Sequence, residues 1–300
     1  MGIELRPAHG GDFPAFSAGA HVDLHLPNGM LRSYSLVNSM DERHRYVIGV
    51  LRDPSSRGGS RCVHESFCVG MRVRISSPRN HFPLQESAAH SVLVAGGIGV
   101  TPLLCMARRL RSLSRPFELL YFARSRRSAA FLNELRALDT NLVLHFDDEQ
   151  GQPPDLHGLL AAARPQPQTH YYACGPAAML DAFQAACRKL GYVHTHIERF
   201  TPVQTRATAM EPAGYQVELR RSGRVLYVMP GVSLLDSLLA CGIDVDHSCR
   251  EGVCGTCMVP VLEGEPDHRD SVLMESQRAA NDVVMACVSG SKGGRLVLDL

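Results

Sequence analysis

The sequence has 300 residues, a length that accommodates roughly two or three compact domains. Its 31 Lys and Arg balance 30 Asp and Glu, so no bulk charge favours nucleic acid or an acidic membrane as a partner. Because no apolar run reaches the roughly 20 residues of a membrane span, and the polar start MGIELRPAHGGDF lacks a signal-peptide core, we expect a soluble, cytoplasmic protein.

Short alternating runs between residues 21 and 80 are typical of an antiparallel sheet or barrel. They read HVDLHL, SYSLVN, RYVIGVL and MRVRISS, with Pro, Gly, Asn and Asp clusters between them and one short helix predicted near residues 60–67. From residue 91, apolar strands alternate with helical stretches, from SVLVAGG and PLLCMARRL to HYYACG and AAMLDAFQAACRKL. This alternation predicts a parallel α/β sheet.

A linker and a separate small unit follow. The stretch FTPVQTRATAMEPAG between Arg199 and Tyr215 has no clear hydrophobic period and is interpreted as an interdomain linker. Beyond it, QVELRR and RVLYVM flank a predicted hairpin turn at Ser222-Gly223. SLLDSLLACG is a predicted helix with Gly242 as its C-terminal stop.

Four cysteines in this last unit have the spacing of metal ligands. Cys249, Cys254 and Cys257 form C-x4-C-x2-C, and Cys287 lies 30 residues beyond, which is the arrangement of plant-type 2Fe-2S proteins. A structural zinc site is the alternative, although zinc ribbons usually pair two C-x2-C knuckles and here the fourth cysteine stands alone. The other cysteines are interpreted as small buried residues, with a functional alternative only for Cys174: Cys62, Cys68, Cys105, Cys174, Cys187 and Cys241.

A glycine-rich turn follows the strand SVLVA. It reads Gly96-Gly97-Ile98-Gly99-Val100-Thr101-Pro102, and Thr101 is expected to cap the next helix with Pro102 in its first turn. Such a helix start favours a bound phosphate, although the turn departs from G-x-G-x-x-G and a purely structural turn is the alternative.

Coenzyme preference is left open by the next strand. A nucleotide-binding unit usually places an acidic residue near its end to hold the ribose 2′-hydroxyl of NAD. Here the strand ends in Arg124-Ser125-Arg126-Arg127. These arginines either accept the 2′-phosphate of NADP or form an ordinary solvated loop.

A strand in the β region carries groups that suit a flavin. Arg32, Tyr34 and Leu36 share one face of Arg32-Ser33-Tyr34-Ser35-Leu36, with Ser33 and Ser35 on the other. Arg suits a phosphate, Tyr can stack on a planar ring and Ser35 can hydrogen-bond it. An ordinary sheet face is the alternative for this pattern taken alone.

Five motifs together resemble the phthalate dioxygenase reductase family, which includes vanillate demethylase reductases, over essentially the full length. They are Arg32-Ser33-Tyr34-Ser35, Arg57-Gly58-Gly59-Ser60, AGGIGVTP, Cys174-Gly175-Pro176 and the four cysteines, in the family's order. The resemblance implies three domains of the ferredoxin-NADP reductase superfamily type. They are an FMN-binding antiparallel β-barrel at 1–88, a nicotinamide-binding α/β parallel-sheet domain at 89–200 and a plant-type 2Fe-2S ferredoxin domain of β-grasp, α+β class at 215–300. A linker at 201–214 joins the last two.

The resemblance also implies site residues by position. FMN binding is assigned to Arg32, Tyr34, Ser35, Gly49, Val50, Leu51, Gly58, Gly59 and Ser60; nicotinamide binding to Gly97, Gly99, Thr101, Cys174, Gly175 and Pro176; the cluster to Cys249, Cys254, Cys257 and Cys287. Ser35 and Cys174 are the residues expected to act catalytically. Phe200 matches an aromatic that the family places against the flavin; a packed linker residue is the alternative. Family members usually have a further stretch, including a first barrel strand, ahead of the position matching Gly2. Either the start of this chain is short, which would leave an exposed barrel edge, or the barrel is closed differently.

The implied function is electron transfer. A hydride carries two electrons and a 2Fe-2S cluster takes one, so a flavin between them would divide the pair. The resemblance implies a reductase that passes electrons from NADH, with NADPH as the alternative, through FMN, with FAD as the alternative, to the cluster and then to a terminal Rieske-type oxygenase acting on an aromatic or similar small substrate. A monomer with no nucleic-acid or membrane partner is expected. A redox sensor or general electron carrier that serves no oxygenase is the alternative function.

Overall fold

The computed structural model describes residues 1–138, 140–163, 168–202 and 214–300. The chain divides into two compact units, Met1–Arg199 and Phe200–Leu300. The linker predicted at 201–214 therefore lies mostly outside the described residues. No helix in the described ranges has the length and apolar character needed to cross a membrane.

The first part of unit one is built from short antiparallel strands. Its elements are β1 (Gly2–Leu5), β2 (His21–His25), β3 (Leu31–Ser35), β4 (Tyr46–Gly49), α1 (Gly59–Ser66) and β5 (Arg74–Ile75). Strand β1 pairs with β4, and β3 and β5 pair with the two sides of β2. Within the described residues, β1 and β4 form a two-stranded sheet. The predicted antiparallel sheet and the helix near 60–67 are confirmed.

The second part of unit one is a parallel sheet covered by helices. Its strands are β6 (His90–Gly96), β7 (Phe117–Ala123), β8 (Asn141–Phe146), β9 (Thr169–Cys174) and β10 (Thr195–Glu198), in the order β10-β9-β6-β7-β8. Its helices are α2 (Val100–Ser112), α3 (Leu132–Arg136), α4 (Asp147–Gln150), α5 (Leu156–Ala162) and α6 (Ala177–Leu190), with 3-10 turns at Gly97–Gly99 and Arg126–Ser128. The central strand β6 is buried on both faces, as expected when helices cover both sides of a parallel sheet.

The predicted parallel α/β sheet is confirmed, with three elements added. Helices α4 and α5 and strand β10 were not predicted, because each is short and their sequences carry weak periodicity. Strand β10 matters most, because it places a short polar run beside β9, with Glu198 next to Cys174 in the register.

Unit two is a mixed sheet with a helix packed on one side. Its elements are β11 (Tyr215–Leu219), β12 (Arg224–Val228), α7 (Leu234–Ala240), β13 (Met258–Asp267), α8 (Glu275–Ala280), β14 (Val283–Met285) and β15 (Gly290–Leu298). The order is β12-β11-β15-β13-β14, with β11 and β15 parallel and the other pairs antiparallel. Helix α7 begins after Ser233, whose side chain accepts a hydrogen bond from the Asp236 amide. The predicted hairpin and helix are confirmed.

Candidate functional site

The start of helix α1 lies against the guanidinium of Arg32. Gly58 precedes the helix with φ 110°, a left-handed conformation that favours glycine. A Cβ on Gly59 would lie 2.7 Å from Nε of Arg32, so a larger residue would displace the arginine. The first turn reads Gly-Ser-Arg and adds no negative charge. Helix-start amides beside a guanidinium fit a phosphate, and the structure thus brings together the predicted FMN phosphate residues.

Strand β3 separates its side chains as the sequence predicted. Ser33 donates a hydrogen bond of 2.6 Å to Oδ1 of the buried Asp23 on β2, which fixes the strand from one face. Tyr34 is half-buried, and burial raises the pKa of its hydroxyl to about 12, so the ring stays neutral. Ser35, the last residue of the strand, is buried and reaches a different partner.

Ser35, Cys174 and Glu198 converge from the ends of three strands. The Ser35 hydroxyl donates a hydrogen bond to the Glu198 carboxyl group, and Sγ of Cys174 lies 4.0 Å from Oε2 of Glu198. Burial of the carboxyl group raises the pKa of Glu198 to about 8, although the bond from Ser35 lowers it. Burial and the neighbouring Glu198 raise the pKa of the Cys174 thiol. At neutral pH this centre therefore presents a protonated acid and a protonated thiol.

Glu198 was not among the residues that sequence reasoning selected. Its role depends on β10 pairing with β9, which carries the carboxyl group to the Cys174 position. The available signal was a short alternating run, Thr195 to Glu198, that closes the α/β part with an acidic residue. Residue Glu198 keeps partial solvent exposure, while its carboxyl group is enclosed by protein atoms.

The glycine turn packs directly on the Cys174-Gly175-Pro176 segment. A Cβ on Gly99 would lie 2.2 Å from the carbonyl oxygen of Cys174 and 2.6 Å from the Gly175 amide nitrogen. A Cβ on Gly96 would lie 2.7 Å from Cδ of Pro176. Two of the motifs assigned to the nicotinamide nucleotide thus lie in contact, with glycine required for their close approach.

One expectation about this turn is wrong. Helix α2 begins at Val100 with Gly99 as its N-cap, and a 3-10 turn over Gly97–Gly99 leads into it. Thr101 does not cap the helix; its hydroxyl donates a hydrogen bond of 3.0 Å to the Ile98 carbonyl oxygen. A 3-10 turn is common at the start of an α-helix, and here it starts the helical backbone earlier than the side-chain pattern indicated.

Thr101 instead meets the end of barrel strand β4. A Cβ on Gly49 would lie 2.8 Å from Cγ2 of Thr101 and 2.7 Å from Cε2 of Phe131, so glycine permits this contact. Val50 is buried, with its amide donating to the Met1 carbonyl oxygen at 2.9 Å. Leu51 is exposed. Gly49 thus contacts the nucleotide turn, and the Val50 amide is already hydrogen-bonded within the chain. The binding of FMN by Gly49, Val50 and Leu51 stays a prediction.

Among the arginines after β7, Arg126 is held by a carboxylate and an aromatic ring. Arg126 forms a two-point ion pair with Glu149 on α4, with Nε–Oε1 2.5 Å and Nη2–Oε2 3.0 Å. Its guanidinium carbon also lies 4.6 Å from the centre of the Phe146 ring. Glu149 follows the next strand, β8, and was not selected from the sequence. The interpretation of Arg126 as an ordinary solvated residue is therefore incomplete.

The four predicted cluster ligands lie next to one another in unit two. The thiol of Cys249 is hydrogen-bonded to those of Cys254 and Cys287, and the thiol of Cys287 is also hydrogen-bonded to that of Cys257. Strand pairing brings Cys287 to this loop, because Met258 after Cys257 pairs with Met285. Among the described residues, no three His, Cys, Asp or Glu side chains surround a single metal-ion position. The contacts between the sulfurs run from Cys254 through Cys249 and Cys287 to Cys257, and a 2Fe-2S cluster takes four cysteine ligands.

The four cysteine sulfurs can all be ionised only if a cation lies between them. Hydrogen bonds from Cys254 and Cys287 lower the pKa of the Cys249 thiol, whereas the same contacts raise the pKa of both partners. Adjacent thiolates repel one another, so the protein alone cannot hold all four sulfurs ionised. Iron supplies the compensating charge, and the donor set fits a 2Fe-2S cluster.

The ligand loop is held in a tight backbone conformation. Gly252 and Gly255 have φ of 69° and 71°, and Arg250 adopts φ 57°, which is uncommon for a residue with a side chain. The Glu251 amide donates to Sγ of Cys249 at 3.3 Å. A Cβ on Gly252 would lie 2.6 Å from Cγ2 of Val288, so both conformation and space require glycine there. The remaining predicted residue, Phe200, begins unit two, and its flavin contact stays a prediction.

Known proteins resemble the chain along its whole length. Residues 217–291 match the family of 2Fe-2S iron-sulfur cluster binding domains. Phenoxybenzoate dioxygenase subunit beta of Ectopseudomonas oleovorans is 50% identical over 99% of this chain and 92% of its own length. Vanillate O-demethylase oxidoreductase of a Pseudomonas species is 42% identical over 100% of this chain and 95% of its own.

Solved structures agree with these sequence relatives. Phthalate dioxygenase reductase, described as a modular structure for electron transfer from pyridine nucleotides to [2Fe-2S], has 37% identity and a TM-score of 0.70 over 100% of this chain and 92% of its own. An intact type IV self-sufficient cytochrome P450 monooxygenase has 38% identity and a TM-score of 0.92. The chain covers 39% of that monooxygenase, so it spans about two fifths of that larger protein.

Proposed function

The chain belongs to the family of phthalate dioxygenase reductase and the vanillate O-demethylase reductases, and we propose that it is the reductase component of an oxygenase system, carrying electrons from NADH through FMN to a 2Fe-2S cluster. The observation that carries the proposal is the meeting of Ser35, Cys174 and Glu198, because it joins the flavin strand to the nucleotide sheet. The four contacting thiols of unit two supply the exit for electrons.

The chain contributes binding and positioning. When bound, a flavin accepts a hydride as an electron pair and releases electrons singly, and a 2Fe-2S cluster carries them one at a time. Arg32 and the amides at Gly59 and Ser60 would hold the FMN phosphate, with Tyr34 against the ring. The turn at Gly97–Gly99 would hold the coenzyme phosphates, and its packing on Cys174-Gly175-Pro176 would direct the nicotinamide towards Ser35.

Glu198 would keep a proton available beside the reacting atoms. Its pKa of about 8 leaves the carboxyl group protonated at neutral pH, and the Ser35 hydroxyl holds it in place. The thiol of Cys174 lies on the other side of the carboxyl group and stays neutral. An enclosed site with neutral donors suits hydride transfer, because a hydride must be protected from water and needs no strong base.

We assign the three roles to consecutive parts of the chain. Strands β1 to β5 fall within 1–88, which would bind FMN; β6 to β10 fall within 89–200, which would bind the nicotinamide coenzyme. Strands β11 to β15 fall within 215–300, the ferredoxin part. FMN is favoured over FAD, and mass measurement of the flavin released by acid distinguishes them.

The electron acceptor would be a terminal Rieske-type oxygenase acting on an aromatic or similar small substrate, as the names of the relatives suggest. The exposed Arg250 and its neighbour Glu251 form the predicted docking face, since they lie on the ligand loop itself. Arg250 forms an ion pair with Asp236, with 3.1 Å between Nη1 and Oδ1. A cytoplasmic location is proposed, in keeping with the ten free cysteines. The protein is proposed to be a monomer, and sedimentation measures its mass in solution.

Two electron acceptors test the proposal. Ferricyanide accepts electrons from the flavin directly, and cytochrome c accepts them from the cluster, so the loaded protein should reduce both with NADH. A Cys287→Ala variant should lose cluster absorbance and cytochrome c reduction while keeping ferricyanide reduction. If the protein carries intact flavin and cluster yet reduces neither acceptor, the reductase function is wrong and the redox sensor becomes the better interpretation.

A further inference from the structure

We propose that Glu149 makes this reductase selective for NADH by holding Arg126 away from the 2′ position of the coenzyme, an inference that rests on the proposed function. Strands β7 and β8 are parallel neighbours, with Ala123 beside Phe146 at their carboxyl ends. In doubly wound sheets the adenosine ribose lies at this edge, beside the end of the second strand of the nucleotide fold. Arg126 begins the 3-10 turn that follows β7, so it lies at the edge of the sheet where the adenosine ribose would bind.

Arg126 would be the natural ligand for a 2′-phosphate if it were free. A guanidinium binds phosphate through two parallel N–H groups, and an arginine at this edge accommodates the 2′-phosphate of NADP. In this structure Nε and Nη2 both donate to the Glu149 carboxylate, at 2.5 and 3.0 Å. The fork that would bind phosphate is therefore already occupied by a carboxylate.

Two further contacts hold the pair in place. The guanidinium lies over the Phe146 ring, with 4.6 Å between its central carbon and the ring centre. Glu149 is carried by helix α4, which begins directly after β8, and the Asp148 amide donates to the Arg124 carbonyl oxygen at 3.1 Å. This hydrogen bond ties the loop after β7 to the helix after β8. An exposed ion pair is weak by itself, but here stacking and a backbone bond add to it.

Displacing Glu149 would not remove its effect. A phosphate dianion that took over the guanidinium would leave the Glu149 carboxylate close by, together with Asp147 and Asp148 on the same helix. These carboxylates repel the negatively charged 2′-phosphate. NADPH binding is therefore disfavoured whether Glu149 keeps its ion pair with Arg126 or is displaced from it. A 2′-hydroxyl carries no charge and meets neither obstacle.

The test is the ratio of kcat/KM for NADPH to kcat/KM for NADH, measured on the loaded protein with ferricyanide as acceptor. We expect Glu149→Gln to raise kcat/KM for NADPH about tenfold, the effect of one charge-assisted hydrogen bond, and to leave that for NADH within about twofold. Adding Arg126→Ala to Glu149→Gln should remove most of the gain, because the freed guanidinium provides most of it. Glu134→Gln, which removes an exposed carboxylate from α3, is the matched control and should leave the ratio unchanged.

The outcomes separate this inference from the reductase function. If the wild-type protein oxidises NADH but Glu149→Gln leaves the ratio unchanged, Glu149 does not set the preference. A wild-type protein that prefers NADPH would likewise overturn the inference. If the loaded wild-type protein oxidises neither coenzyme, the reductase function itself fails. Glu149 is partly exposed and lies on a surface helix, so the substitution is expected to leave folding intact.

Discussion

The hydroxyl of Ser35, at the end of a barrel strand, is hydrogen-bonded to the carboxyl group of Glu198, at the end of the last strand of the parallel sheet. The two residues are 163 positions apart, and the bond forms only when both parts of unit one are folded and packed. It places an enclosed acid where the flavin and nicotinamide motifs meet.

Replacing Glu198 should slow electron entry. Glu198→Gln keeps the size of the side chain but removes the proton that the carboxyl group holds at neutral pH, and loss of a positioned acid typically costs about 100-fold. We therefore expect flavin reduction by NADH, followed by stopped-flow absorbance, to slow by about that factor. Glu134→Gln is the control for loss of an exposed carboxylate. An unchanged rate would exclude a catalytic role for Glu198.

Stability should fall as pH rises because of the same residue. The pKa of Glu198 is about 8 in the folded protein against an ordinary value of 4.5, so between these values the folded chain holds a proton that the unfolded chain has released. Stability then decreases with increasing pH across that window and levels off above it. Urea midpoints at pH 5 and pH 8 measure this. Glu198→Gln should show a smaller decrease, and equal decreases in both proteins would contradict the assignment.

A methyl group at Gly59 should weaken flavin binding. Its Cβ would lie 2.7 Å from Nε of Arg32, so Gly59→Ala should push the guanidinium away from the helix start. Loss of one charge-assisted hydrogen bond to phosphate corresponds to about tenfold in affinity, measurable by titrating flavin-free protein with FMN and following fluorescence quenching. Gly293→Ala is the control, because its Cβ would meet no atom within 4 Å among the described residues. Equal affinities of the two variants would count against the proposed phosphate site.

A methyl group at Gly252 should prevent cluster assembly. Gly252 has φ 69°, and its Cβ would lie 2.6 Å from Cγ2 of Val288 and 3.0 Å from Cα of Asp270. Gly252→Ala should therefore distort the ligand loop and abolish the visible absorbance of the cluster, while NADH-dependent ferricyanide reduction persists. Gly294→Ala is a matched control, since Gly294 has φ 77° but open space around it in the described structure. Normal cluster content in Gly252→Ala would show that the loop can shift to accommodate the methyl group.

Removing the charge of Asp270 should raise the reduction potential of the cluster. The side chain is fully buried behind the ligand loop, and its Oδ1 accepts bonds from the amides of Val272 and Leu273 at 2.9 and 2.8 Å. The Ser271 amide donates to the Gly252 carbonyl oxygen at 2.8 Å, which connects this turn to the loop.

Asp270→Asn keeps the shape of the side chain but removes a buried negative charge, so the reduced cluster should be favoured by on the order of tens of millivolts. Redox titration followed by electron paramagnetic resonance measures the shift. Asp282→Asn, at an exposed position, should leave the potential unchanged. A lower potential in Asp270→Asn would contradict the electrostatic argument.

Elements with local signals could be predicted from the amino-acid sequence alone. The spacing of Cys249, Cys254 and Cys257 identified the ligand loop, because a cluster requires its ligands at fixed separations along the chain. Alternation and apolar runs predicted the antiparallel part and the parallel sheet, since side-chain periodicity reflects which faces are buried. The motif order carried the family resemblance and, with it, the expected cofactors.

Contacts between residues far apart in the chain could not be predicted in this way, because they depend on how remote segments pack. Glu198 and Glu149 each lie in short elements with weak periodicity, and their partners, Ser35 and Arg126, come from other strands. The 3-10 turn before α2 similarly replaced the expected cap at Thr101. An acidic side chain looks the same in a sequence whether it is solvated, enclosed or paired. Its pKa and its partner depend on burial and on strand order, which arise only when remote segments pack together.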